Sequence, residues 1–152
     1  MTIETRLFGE INIADEKLIT FPDGIVGFPF VKQFALIRDE ENKDSAIMWL
    51  QSMEEPQFAL PVIEPNLIEE NYNPMVDDEY LAPVGEITPE QTYSLVTITV
   101  PPEIEKMTAN LKAPIVINMA NNKAVQIIVE DDYQVKHPIY ETLKKRKEGE
   151  VC

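Results

Sequence analysis

Met107-Thr108-Ala109-Asn110-Leu111-Lys112-Ala113-Pro114-Ile115-Val116-Ile117-Asn118 is the stretch that decides how this chain folds. It closes on a β-branched run, Ile115 to Ile117, which favours an extended backbone. Ahead of that run the residues alternate. Thr108, Asn110 and Lys112 sit two apart, so an extended chain sends all three to one face. Ala109, Leu111 and Ala113 then point the other way, toward a core. Pro114 has no N–H to give a ladder, so a strand through it lies at an edge or is bulged there. An ordinary edge strand with a polar outer face satisfies all of this, since a solvated face is the default of an antiparallel sheet.

Outward from this stretch, strand signals continue in both directions. On the C-terminal side, 115–118 and 125–129 read as a pair around Asn121-Asn122, because asparagines tolerate the left-handed backbone of a tight hairpin. On the N-terminal side, 92–100 alternates with period two. Val96, Ile98 and Val100 are expected on one face and Thr97 and Thr99 on the other, before Pro101-Pro102 ends the strand. A single helical turn is expected over 103–106. Earlier still, 3–8 and 11–13 flank a turn or bulge at Gly9-Glu10. Strands at 18–21, 34–37, 47–51 and 58–63 follow. Pro22-Asp23-Gly24 reads as a turn, in which proline presets φ and glycine supplies a positive φ. A charged loop spans residues 39–45. Residues 65–90 are rich in Pro, Asn, Asp and Glu, with weak helical spacing among Leu67, Ile68, Tyr72 and Met75. One or two short helices against an end of the sheet are expected there. Many short strands with Pro and Gly turns predict a mostly β sandwich or barrel rather than an α/β fold.

The C-terminal segment differs. Pro138 suits a first helical turn, and Glu141 with Lys145 forms an i,i+4 pair in the favourable order. Only Ile139, Tyr140 and Leu143 give this helix an apolar stripe, so it is expected to dock weakly or fray. The sequence thus divides into a β domain over 1–136 and a basic helical tail over 137–152.

Composition narrows the function. The chain of 152 residues suits one domain with a real core, and 13 basic against 27 acidic residues give a net charge of −14. Such a surface repels phosphate, so direct nucleic-acid binding is not expected; only Lys144-Lys145-Arg146-Lys147 clusters positive charge, and helix-end chemistry explains it. The acidity fits a basic partner, or solubility alone. There is one cysteine, Cys152, which allows no intrachain disulfide and fits a reducing compartment. No secretory signal and no membrane-spanning run are expected. A cytoplasmic protein without membrane attachment follows.

Catalysis finds little support. His137 is the sole histidine, so any triad needs it, and it precedes a proline beside the tail. Asp77-Asp78-Glu79 and Asp131-Asp132 lack the ligand spacing and glycine of a calcium loop and read as solvated acidic faces. No glycine-rich phosphate loop and no zinc spacing are present, so no catalytic residue, metal or cofactor is expected. Phe21, Ile25, Phe28 and Phe30 surround two glycines and two prolines. They either cap the core or form an apolar contact patch. Trp49, between Met48 and Leu50, faces in or out according to register, with the core preferred.

Four stretches, taken in order, resemble the flagellar assembly factor FliW family. They are Ile19-Thr20-Phe21-Pro22-Asp23-Gly24-Ile25-Val26-Gly27-Phe28; Met48-Trp49-Leu50-Gln51-Ser52 followed by Pro56-Gln57-Phe58-Ala59-Leu60-Pro61-Val62; the opening stretch at 107–118; and Val125-Gln126-Ile127-Ile128-Val129 with Tyr133 and Pro138. The likeness runs from about residue 3 to 138. It implies a small, mostly antiparallel β-barrel with short helices and no enzymatic activity. It also implies two partners: flagellin, and the RNA-binding translational repressor CsrA, bound and antagonised when flagellin is exported. On this expectation the acids Glu69, Glu70, Asp77 and Asp78 face CsrA and repel its RNA. Thr108, Asn110 and Lys112, with the turn carrying Phe21, Ile25 and Phe28, face flagellin. A small-ligand-binding barrel or an acidic hydrolase is the alternative, and a deep apolar pocket or a metal on the acidic loop would mark it.

Overall fold

The computed structural model describes residues 1–38 and 46–151, with side chains through Lys145. The charged loop expected at 39–45, the side chains of Arg146 and Lys147, and Cys152 lie outside the described residues.

A closed barrel forms the body of the molecule. β4 (Gln33–Arg38), β5 (Met48–Ser52) and β6 (Ala59–Ile63) make an antiparallel meander in which Leu36 opposes Leu50 and Leu50 opposes Leu60. β6 passes through Val62 and Ile63 to β7 (Thr92–Thr99). The first half of β7 pairs with β9 (Ile115–Asn118), and β9 pairs with β10 (Lys123–Gln126) around a hairpin in which Asn122 has φ 57°. β3 (Ile19–Thr20) closes the ring, antiparallel to β4 and joined to β10 by one parallel pair, Thr20 with Lys123. The ring has seven strands. A separate hairpin, β1 (Thr2–Thr5) with β2 (Gly9–Asn12), precedes it.

Three apolar clusters explain why these strands close. Phe21, Phe34, Leu50, Val62, Leu95 and Ile115 fill the barrel interior. A second cluster lies outside β6 and β7, where Ile63, Val96 and Ile98 meet Tyr72, Leu111 and Ile139. A third covers the outside of β9 and β10, where Val116, Val125 and Ile127 meet Val84 and the half-buried Leu81. β7 is therefore buried on both faces at its centre, Leu95 inward and Val96 outward. The acid-rich stretch 65–90 supplies much of the outer covering, as three short 3-10 turns at Pro65–Leu67, Asp78–Val84 and Pro89–Gln91.

The opening stretch is not one strand. β8 (Thr108–Ala109) pairs with the second half of β7, and β9 with the first. Ala109 opposes Ile98 while Ile115 opposes Leu95, so three steps along β7 are matched by six on the partner. Three extra residues are looped out as a bulge around Leu111-Lys112-Ala113, just ahead of Pro114. The alternation of burial survives: Ala109, Leu111 and Ala113 are buried and Thr108, Asn110 and Lys112 half-buried.

Other expectations change as well. The first hairpin turns at 6–8 rather than at Gly9-Glu10, since the Thr5 hydroxyl accepts from Phe8 N–H and donates to Gly9 O. Val100 is past the end of β7 and exposed. Trp49 is half-buried outside the barrel, edge-on to Phe8 of the hairpin at 6.3 Å, and belongs to no core cluster. Pro138 sits in β11 (His137–Pro138), paired with β8, and helix α1 (Tyr140–Val151) begins only after Ile139. The residue ahead of that helix is anchored: Ile139 is fully buried and its N–H donates to Met107 O.

Candidate partner interface

The turn after β3 is built by two glycines. Gly24 has φ +72°, its N–H donates to Phe21 O, and a Cβ there would fall 2.5 Å from the Pro29 backbone. Only glycine fits. Ile25 and Phe28 exchange N–H···O bonds of 3.2 and 2.7 Å, which folds Val26-Gly27 into a tight loop. Phe21 and Ile25 are core side chains, so contact with a partner at this turn falls to Val26, Phe28 and Phe30, all exposed. Phe28 stands edge-on to Phe58 at 4.9 Å, Phe58 meets Phe34 inside the barrel at 6.0 Å, and Phe30 packs against Phe28. An aromatic column thus runs from the core to the surface.

Gln51 fixes the base of that column. It is fully buried, and its Nε2 donates to the carbonyls of Ser52, Pro56 and Phe58 at 2.9, 3.3 and 3.2 Å. The Ser52 hydroxyl accepts from Glu54 and Glu55 N–H in the same connection. The Gln51 Oε1 finds no partner among the described residues.

The polar residues of the bulge are engaged within the fold. Asn110 Oδ1 accepts from Lys112 N–H at 3.0 Å, and the Lys112 ammonium donates to Asp131 O. The Tyr72 hydroxyl donates to Leu111 O at 2.7 Å. Burial first, and then Tyr133 and Asp131 nearby, push the Tyr72 phenol well above its ordinary value. Thr108 lies apart from the bulge, on β8 between Thr99 and Pro138.

Gln126 joins the turn to the bulge. Its Oε1 accepts from Val26 N–H at 3.0 Å and its Nε2 donates to Ala113 O at 3.2 Å. The structure therefore brings the Phe28 turn and the Asn110–Lys112 region to one side of the barrel. The sequence marked Gln126 only as part of a strand. Gln126 interrupts the β-branched run Val125 to Val129 and faces the same way as an ordinary strand polar residue, and Val26, one of its two partners, is far away in sequence.

The acids fall into two groups. Glu69 is half-buried, its carbonyl accepting from Tyr72 N–H, and Glu70 is exposed beside it. Asp77 and Asp78 are exposed at the start of the 3-10 turn over Asp78–Val84, and Asp77 O accepts from Tyr80 N–H. Between the groups Met75 is 80% exposed. Among the described residues no three His, Cys, Asp or Glu side chains stand together as a metal site. His137 is half-buried in β11 opposite Ala109. No described helix is long and apolar enough to cross a membrane.

The comparisons agree with this architecture. The FliW protein family model matches residues 2–139. The chain is 43% identical over 152 residues to the flagellar assembly factor FliW of Lachnoclostridium phytofermentans, covering 99% of this chain and 97% of that one. It is 42% identical over 150 residues to its counterpart in Lachnospira eligens, covering 97% and 99%. A crystal structure of the flagellar assembly factor FliW superposes with a TM-score of 0.84 at 30% identity, covering 92% of this chain and 97% of that one. The small, mostly antiparallel barrel with short helices and a C-terminal helix is thus a shared fold. The chain belongs to the FliW family of flagellar assembly factors.

Proposed function

We propose that this protein is a non-enzymatic regulator that acts in the cytoplasm by holding one of two partners. Bound to flagellin it is sequestered. Once flagellin is exported, the freed protein binds CsrA and relieves repression of flagellin synthesis. The observation that carries this reading is the near end-to-end match to flagellar assembly factors, 43% identical over 152 residues. Chemistry supports it in one respect. A regulator that grips RNA needs a basic surface, and a chain with net charge −14 is suited to meet it and to disfavour phosphate nearby.

For CsrA the proposed contact is the acidic stretch with Glu69, Glu70, Asp77 and Asp78. For flagellin it is the exposed end of the aromatic column, Phe28 and Phe30, beside Asn110 and Lys112. Titration calorimetry with purified flagellin and purified CsrA tests both. Each is expected to bind alone, and added flagellin is expected to release CsrA. Charge reversal at the four acids is expected to weaken CsrA binding and flatten its salt dependence while leaving flagellin binding intact. Absence of binding to both proteins overturns the reading, and unchanged CsrA affinity at low salt overturns the assignment of the acids.

A further inference from the structure

Half of the large exposed hydrophobic side chains among the described residues lie along one strip. Phe30 packs on Phe28, and Phe28 pairs across the tight turn that carries Val26. Val26, Tyr80 and Ile128 line a groove of about 480 Å³ between that turn and the Asp78–Val84 3-10 turn. Tyr80 and Ile128 continue into a smaller depression of about 90 Å³ with Met75. These six residues are between 43% and 80% exposed. A contiguous apolar strip of this kind marks a contact surface, whereas single exposed residues do not.

The rim has one sign of charge. Asp23 and Glu79 edge the groove, Asp77 and Glu130 edge the depression, and no Lys or Arg lines either. All four acids are exposed.

The floor has an open edge. Ile127 and Val129 donate their N–H groups to Pro114 O and Lys112 O on the bulge side, at 3.0 and 2.9 Å. The burial of 127–130 alternates in step with them, Ile128 being exposed. In an extended chain the intervening Ile128 directs its N–H and C=O to the opposite side, into the groove. On that side β10 meets β3 only at the pair Lys123–Thr20. Past that pair the neighbouring chain leaves through the Pro22-Asp23 turn. Sheet edges exposed in this way are usually blunted by a lysine or a proline; here the outward residue is isoleucine.

We propose that this groove binds an extended segment of a partner protein, alternating apolar and basic residues, which adds as a strand along Gln126–Ile128. The segment's main chain pairs with the Ile128 edge, its apolar side chains lie on Val26, Tyr80 and Ile128, and its lysines or arginines meet Asp23, Glu79 and Asp77. Strand addition of this kind takes affinity from the main chain and specificity from side chains. The groove shares Asp77 and the Phe28–Phe30 end of the strip with the CsrA and flagellin assignments, but its test uses a synthetic probe, so its failure and theirs are distinguishable.

The test is an NMR titration of the full chain with a short peptide of alternating lysine and valine. Saturable binding is expected, with new amide protection at Ile128 and shifts confined to residues around Val26, Tyr80 and Ile128. Ile128→Asp, at an exposed position, and the double reversal Asp23→Lys with Glu79→Lys are each expected to weaken binding by about tenfold or more, while Glu90→Lys leaves it unchanged. Thermal melts of the variants confirm that they fold. The proposal is overturned by equal binding of a lysine–serine peptide, by equal binding of the lysine–valine peptide N-methylated on alternate residues, or by shifts spread over the acidic surface and insensitive to Ile128→Asp. Tighter binding of a basic amphipathic helix, or self-association through the same residues in sedimentation, also overturns it.

Discussion

The wall made by β4, β5 and β6 and the seam between β3 and β10 are held by different means. In the wall, main chains pair over five consecutive Cα partners from Phe34↔Ser52 to Arg38↔Met48 and four more from Met48↔Val62 to Gln51↔Ala59. Its inward side chains interlock in the barrel interior. At the seam one residue pair closes the ring. Next to it the Gln126 side chain ties the turn after β3, through Val26, to the bulge, through Ala113, and the bulge is held in turn by Lys112 to Asp131 and Tyr72 to Leu111. The wall sets the fold, and the seam leaves backbone edges and apolar side chains facing solvent. A region whose polar groups are matched by side chains can diverge without undoing the barrel, which is where a contact surface is best placed.

Substitutions in the two regions should separate these roles. The largest effect belongs to the wall. Phe34 is fully buried between Phe21 and Phe58. Phe34→Ala is expected to cost about 3–5 kcal/mol in denaturant unfolding. A loss near 1 kcal/mol would mean that the interior can collapse around the cavity, and the contrast with the seam would weaken.

Tyr72→Phe comes next. It strands the Leu111 carbonyl under the second cluster, at a cost of about 1–3 kcal/mol, with faster hydrogen exchange around the bulge. The alkaline limb provides an independent check. Burial raises the Tyr72 phenol above its ordinary value of 10.0. The stabilisation it carries is therefore complete below pH 10 and is lost as pH rises from there toward the raised folded value. Tyr93 is raised too, by burial first and then by its hydrogen bond to Glu64. Tyr72→Phe should thus flatten only part of the fall in stability above pH 10. An unchanged slope would show that the phenol ionises as freely in the fold as outside it.

Gln126→Ala should have the smallest effect on stability, about 0.5–1.5 kcal/mol per hydrogen bond lost, because the side chain is only half-buried. Its signature is local: the Val26 amide loses protection while amides of β4 to β6 do not. Equal loss of protection across the wall would show that seam and wall open as one unit.

Much of the wall was legible in the sequence. Strands at 34–37, 47–51 and 58–63 were read from apolar periodicity to within a residue or so of β4, β5 and β6, because burial on one or both faces imposes that pattern directly. The glycine turn at Pro22-Asp23-Gly24 was legible for a similar reason, since a positive φ leaves a residue type behind. The seam was less so. Pro114 marks an irregularity, but the three-residue offset against β7 is a property of register between strands distant in sequence. Thr108, Asn110 and Lys112 looked like a free polar face; in the fold Asn110 and Lys112 bind the chain to itself. From sequence alone Trp49 favours the core, because the N-terminal hairpin that shields its outer face with Phe8 is not visible from its own neighbours. Gln51 and Gln126, which organise the aromatic turn from below and from the side, carry no pattern of their own.

The closing pair of the barrel has a consequence for synthesis. Val26 and Gln126, bonded across the seam, are 100 residues apart in the chain. The meander β4–β5–β6 can form from local neighbours while translation is still under way. The ring cannot shut until the hairpin of β9 and β10 has left the ribosome, and the second cluster lacks Ile139 until that residue has followed. Long-range pairing of this kind is the slow step in β proteins. A growing chain therefore waits as an open, curved sheet with its interior uncovered, and for that interval it depends on its high negative charge to keep it from its neighbours.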